Sequence, residues 1–154
     1  SLEEGLGKMR AAVAAKPDPD MVVAARTSAI AMAGVEDARA RVRAYTEAGV
    51  DAIFIVGAKT RAEMDAVSAE TNLPIILGSA ADELSDDDYL ASVGVRIALQ
   101  GHAPFMAAVQ AVYDTLKAQR DGVPNSELKG LPQGDFMRRM TRATDYEGQI
   151  EDYL

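Results

Sequence analysis

The chain has 154 residues, 48% hydrophobic and 26% charged, with a formal net charge of -8. This is the composition of a folded globular chain rather than a disordered one. The acidic balance excludes the clustered Lys and Arg that a nucleic-acid partner requires. Cysteine is absent, which rules out disulfides and thiolate metal sites, and a cytoplasmic location is the expectation.

The opening stretch SLEEGLGKMRAAVAAK has Glu3 and Glu4 near its start and no uninterrupted apolar core, so it reads as neither signal peptide nor membrane span. Leu2, Leu6, Met9 and Val13 fall on one side of an amphipathic helix. A chain that opens inside such a helix, without an initiator Met or a leading strand, is expected to be a fragment. After Lys16-Pro17-Asp18-Pro19, the short apolar run Met21–Ala25 predicts a buried strand. Gly34-Val35-Glu36-Asp37 opens a helix through Arg41 and Tyr45, with Gly49 as its C-terminal cap.

Asp51–Gly57 predicts a second strand, and Thr60 is placed to cap a helix carrying Met64, Val67 and Ser68. Asn72–Gly78 is the third strand. Ser85 is expected to cap a short helix with Tyr89 and Leu90, ended by Gly94. Val95–Gly101 is the fourth strand. Phe105, Met106, Val109, Val112, Tyr113 and Leu116 then form an apolar stripe at helical spacing. Beyond Gly122 the chain becomes loop-rich, with helical turns expected at Phe136–Arg142 and Tyr146–Leu154. The expected division is a half barrel over 1–122 and a tail over 123–154.

Apolar strands alternating with amphipathic helices predict a parallel sheet covered by helices, with both faces of each strand buried. Four such units fit either an open doubly wound sheet or half of a closed barrel, and periodicity does not choose between them. In both, ligands are received at the carboxyl ends of the strands.

The residues there are Arg26-Thr27-Ser28, Gly57-Ala58-Lys59, Gly78-Ser79-Ala80 and Gly101-His102. Arg26 directly follows an apolar run, where a guanidinium calls for a carboxylate or phosphate; its planar fork suits a substrate carboxylate, and the bland reading is a structural ion pair. His102, the only histidine, is suited to orient a substrate or move a proton, or simply to begin a helix. Thr27 and Ser79 either bond a substrate oxygen or make the local turn. Gly5-Leu6-Gly7-Lys8 lacks the glycine spacing of a phosphate loop. Asp82–Asp88 lacks the ligand alternation of an EF-hand and reads as an acidic helix start. No metal site assembles from this chain's own residues.

Asp18-Pro19-Asp20-Met21-Val22-Val23-Ala24-Ala25-Arg26-Thr27-Ser28-Ala29, followed by Gly34-Val35-Glu36-Asp37-Ala38 and Glu47-Ala48-Gly49-Val50-Asp51-Ala52-Ile53-Phe54-Ile55, resembles the isocitrate lyase and phosphoenolpyruvate mutase superfamily. The resemblance implies an eight-stranded TIM-type barrel of which this chain is the C-terminal half, four parallel β/α units with a helical C-terminal tail. It also implies a homo-oligomer that swaps its last helix, and Mg2+ held by acidic residues of a complementary N-terminal half-barrel.

By position, Arg26 is similar to the family arginine that grips the substrate carboxylate. Lyases of isocitrate and methylisocitrate carry a Glu near the end of the next strand, where this chain has Val56-Gly57-Ala58, and an Asn after the following one, where it has Gly78-Ser79. These departures count against that lyase activity. Val95–Phe105, with His102 at the strand end, is similar to the oxaloacetate decarboxylase branch. The implied reaction is Mg2+-assisted loss of CO2 from an α-keto acid through an enolate, with Arg26 and His102 as catalytic residues and Thr27 and Ser79 as further substrate contacts. A carbon–carbon lyase, a phosphonate mutase, or a half inactive until complemented are the alternatives.

Overall fold

A computed structural model describes residues 1–154. The chain divides into two compact units, 1–101 and 102–154.

The first unit begins with helix α1 (Leu2–Ala14), where the Ser1 side chain accepts the N–H of Glu4. Strand β1 (Ala24–Thr27) follows, then α2 (Ala29–Ala33), α3 (Val35–Glu47), β2 (Ala52–Ile55), α4 (Arg61–Ser68), β3 (Ile75–Leu77), a 3₁₀ turn at Asp82–Leu84, α5 (Asp87–Ser92) and β4 (Val95–Ala98). All neighbouring strands pair in parallel, in the order β1-β2-β3-β4.

That order settles what periodicity left open. Right-handed crossovers between strands laid down in sequence always return on the same side, whereas a doubly wound sheet must reverse its strand order to cover its second face. The helices accordingly cover one face alone. Ala25, Ile53, Ile55, Ile75, Leu77 and Val95 point into a single core with Val42, Tyr45, Met64, Val67 and Leu90 of the helices. The unit is four consecutive strands of a barrel with the three helical crossovers that join them.

The face away from the helices is not buried within this chain by itself. Ala24, Arg26 and Ile97 are exposed, and Phe54 and Ile76 are only half-buried, on the face that a closed barrel turns inward. A bulge maintains this face at β4. Ile75 pairs with Val95 but Ile76 pairs with Ile97, so Arg96 is an extra residue and Ile97, 51% exposed, stands beside Ile76 rather than under the helices.

Three local expectations shift. The first strand starts at Ala24 rather than Met21, because the carboxylate of Asp51 accepts the Val23 N–H and the ladder opens only after that contact. Asp86 rather than Ser85 caps α5: its side chain accepts the N–H of Tyr89 at 3.1 Å, while the Ser85 hydroxyl donates to the Asp82 carbonyl. Helix α2, five residues long, is too short to give a periodic signal in the sequence.

Other local signals hold. Thr60 and Glu63 form a full capping box at α4, and Gly49 follows α3 with φ 85°, a left-handed conformation natural to glycine. The Tyr89 hydroxyl is pushed up to about 12 by burial and by donating to Asp65. It fastens α5 to α4 and has no part in the open face.

The second unit holds α6 (Ala103–Arg120), a 3₁₀ turn at Asn125–Glu127, α7 (Gly134–Met140) and α8 (Ala143–Tyr153). Arg138 of α7 grips Glu147 of α8 through both terminal guanidinium nitrogens, at 2.9 and 2.6 Å. The α6 stripe forms at helical spacing and stays exposed: Phe105, Met106, Val109, Val112, Tyr113 and Leu116 are each 48–67% accessible. No helix of the chain is long and apolar enough to cross a membrane.

Candidate active site

The open face is organised in a row across the sheet. Arg26 pairs in register with Phe54, Phe54 with Ile76, and Ile76 with Ile97, so each strand contributes one side chain at this level. Arg26 lies within β1 rather than beyond it, because the strand runs on to Thr27. Its guanidinium carbon sits 5.6 Å from the centroid of the Phe54 ring. It takes part in none of the chain's salt bridges, so the structural ion pair is not formed within this chain. Arg26 also reaches the wall of a cleft of about 450 Å³ beside β1, shared with Ser28, Met32, Asp37 and Arg41.

Of the two roles expected for Thr27, the side chain fills the backbone one. It points to the helix side, is 6% exposed, and its hydroxyl accepts the N–H of Ala29 at 3.1 Å, which begins α2. Ser79 is exposed in the turn after β3, with its Oγ 3.0 Å from where a Cβ on Gly101 would lie. Ser79 and Gly101 therefore meet at adjacent strand ends. His102 is exposed and occupies the N-cap of α6; its carbonyl accepts the N–H of Met106 at 3.0 Å, and its imidazole makes no cap hydrogen bond.

Gly57, at the end of β2, has φ 91°, and a Cβ there would lie 2.9 Å from the Cβ of Ala31. A side chain at this one position of the Val56-Gly57-Ala58 turn would be strained by its backbone and obstructed by α2.

Lys59 stands beyond, where its N–H donates to Glu63 Oε2 at 2.7 Å. That bond and the one from the Thr60 N–H hold the Glu63 carboxyl below its usual range. The carboxylate belongs to the cap.

The row and the strand ends thus offer one guanidinium, hydroxyls, glycines and apolar side chains. This set suits the reception of a carboxylate and does not suit Mg2+, which demands carboxylate and water oxygens. No three His, Asp or Glu side chains converge anywhere in the chain.

Residues 1–120 match the phosphoenolpyruvate phosphomutase family. The chain belongs to that family. Among its relatives, the oxaloacetate decarboxylase of Bradyrhizobium sp. (strain ORS 278) is 51% identical over all 154 residues, which are 54% of that protein. The oxaloacetate decarboxylase of Rhodopseudomonas palustris (strain BisB18) is 52% identical over 143 residues, covering 93% of this chain and 50% of its own. The chain spans about half the length of the curated relatives it matches.

Solved structures agree with this family membership. Phosphonopyruvate hydrolase superposes over 100% of this chain and 57% of its own, with a TM-score of 0.71 and 32% identity. Oxaloacetate acetylhydrolase, seen with its product oxalate, covers 98% of this chain and 55% of its own, with a TM-score of 0.68 and 26% identity. The fold is also that of 2,3-dimethylmalate lyase, a member of the PEP mutase/isocitrate lyase superfamily, at a TM-score of 0.71. The one-sided sheet of the phosphomutase-family chain is therefore half of a TIM-type barrel, and its open face is the barrel's interior.

Proposed function

We propose that this chain supplies the carboxylate-receiving side of a decarboxylase for oxaloacetate or a similar α-keto dicarboxylic acid. The observation that carries the reading is Arg26, a guanidinium without a salt-bridge partner in the chain, projecting from the face that a closed barrel encloses. The names of the Bradyrhizobium and Rhodopseudomonas relatives supply the substrate class.

In the proposed reaction the C3–C4 bond of oxaloacetate breaks and CO2 leaves. The electron pair remains as the C2–C3 enolate, and protonation at C3 gives pyruvate. Arg26 receives a carboxylate through two N–H donors, an arrangement with both strength and direction. Phe54, Ile76 and Ile97 line the row beside it and exclude water, which strengthens the ion pair. Ser79 and His102 are proposed to bond and orient the substrate, and Thr27 supports Arg26 by fixing the turn behind it. The implied Mg2+ would supply Lewis-acid stabilisation of the enolate, with ligands from the complementary N-terminal half-barrel.

The exposed row and the unpaired outer edges of β1 and β4 support dependence on that complementary half, on the same or another polypeptide. The exposed stripe of α6 supports a homo-oligomer in which this helix is exchanged between subunits. The proposed organisation keeps α6 as the helix of the fourth β/α unit through residue 122, with 123–154 as tail. Action on a dissolved keto acid in the cytoplasm completes the reading.

The test is pyruvate formation from oxaloacetate by the chain alone and joined to the complementary half, each with Mg2+ and with chelator. Turnover above the spontaneous rate in the joined protein, lost with chelator and reduced in Arg26→Ala and His102→Ala, is expected. Decay at the spontaneous rate in the joined, Mg2+-loaded protein rejects the decarboxylase.

A further inference from the structure

The geometry points to Phe54 as a positioning residue for Arg26, and to Gly78 as the residue whose lack of a side chain lets Phe54 do so.

Two contacts carry this. Phe54 lies directly opposite Arg26 in the parallel register, and the guanidinium carbon is 5.6 Å from its ring centroid, within the range where a cation is attracted to the ring face. From the neighbouring strand end, Gly78 limits where the ring can be. A Cβ at Gly78 would lie 2.7 Å from Val56 Cγ2, 3.0 Å from Phe54 Cε2 and 3.2 Å from the Ile55 carbonyl oxygen. The Ile55 carbonyl is held in place, since it accepts the N–H of Gly78 at 2.8 Å. The strain of a larger residue must therefore pass to the Val56 methyl and the Phe54 ring.

Backbone conformation does not explain the glycine. Gly78 is not among the glycines with positive φ, unlike Gly57 and Gly101, so an alanine there meets no penalty of handedness. The space beside Phe54 and Val56 is what the missing side chain provides. A side chain at 78 would project to the open face, between residues of β2, and push the ring relative to Arg26. The Arg26 fork is thus aimed by an aromatic face whose position is set from the adjacent strand. The direction from which a dicarboxylic keto acid is accepted follows from that aim.

This rests on Arg26 receiving a substrate carboxylate, but its first readout does not need turnover. In the full chain, the Arg26 Nε–Hε resonance, assigned by its loss in Arg26→Lys, is expected to be displaced upfield by the Phe54 ring current. Phe54→Leu should remove the displacement, Phe54→Tyr should restore it, and Gly78→Ala should alter it while leaving the circular dichroism spectrum unchanged. In the joined enzyme, Phe54→Leu should raise KM for oxaloacetate roughly five-fold with little change in kcat, as expected for a cation–π contact.

An Arg26 resonance that keeps its wild-type position in Phe54→Leu overturns the proposal, as does one that keeps it in Gly78→Ala. If Phe54→Leu does not fold, Phe54→Tyr and Gly78→Ala decide it by the same resonance. A ring-current shift in a protein that does not decarboxylate oxaloacetate would sustain the positioning and reject only the proposed substrate.

Discussion

The carboxylate of Asp51, one residue before β2, accepts the backbone N–H of Val23 at 2.7 Å while holding the Lys16 ammonium at 3.0 Å. One side chain thereby joins the end of α1, the entry to β1 and the entry to β2. The Val23 N–H and Lys16 keep the Asp51 carboxyl below its usual value of 3.8. Arg43 and Arg39 do the same for Glu70, and the N–H groups of Lys59 and Thr60 for Glu63, both ordinarily 4.5.

Carboxyls depressed in the folded state bind more protons after unfolding at acid pH. Their stabilisation is complete above the ordinary values of 3.8 and 4.5 and is lost as pH falls through the lower folded values. Urea midpoints measured as a function of pH should fall across that acid window, and Asp51→Asn should make the fall shallower. An unchanged slope in Asp51→Asn would remove this residue from the account.

Thr60→Ala should destabilise the chain by about 1 kcal/mol, because the variant leaves the N–H of Glu63 without its side-chain acceptor at the start of α4. Thr60→Ser should recover most of that. Equilibrium urea denaturation of the two variants checks the pair, and an equal loss in both would place the effect elsewhere.

Leu77 and Ile76 are neighbours in β3 on opposite faces, the first fully buried under the helices and the second half-buried on the open row. Leu77→Ala should cost roughly 2–5 kcal/mol in the chain by itself. Ile76→Ala should cost less than half as much there, and more once the barrel is closed. Denaturation of both variants, with and without the complementary half, reads the difference.

Arg26→Lys should lower kcat/KM for oxaloacetate on the order of 10- to 100-fold, since an ammonium cannot reproduce a two-point hydrogen bond to a carboxylate. The unfolding midpoint should barely move, as Arg26 has no salt bridge in the chain to lose. A variant that unfolds readily yet retains kcat/KM would make Arg26 a structural residue.

Legibility followed the range of the interaction. The Thr60 cap and the Gly49 stop were readable because three or four adjacent residues decide them. Arg26 stood out because a guanidinium after an apolar run has few inexpensive explanations. The start of β1 was hidden, since it depends on Asp51, far along the chain. Ser85 and Asp86 both carry capping oxygens, and only the 3₁₀ turn that engages Ser85 leaves the cap to Asp86. Strand order and the uncovered face belong to tertiary topology, which periodicity in one segment does not encode. Thr27 has two uses open to it by type, and only the face it occupies brings its hydroxyl to the Ala29 N–H.

The bulge at Arg96 gives β4 a tolerance to changes of length. Ile75 to Val95, Ile76 to Ile97 and Leu77 to Ala98 are the pairings on either side of the extra residue. Excising Arg96 would therefore close the strand into regular register with Ile97 still on the open row and Ala98 still beside Leu77. Losing that one codon leaves the open row as it was, whereas the loss of Ile75 one strand earlier would put Ile76 in the core position.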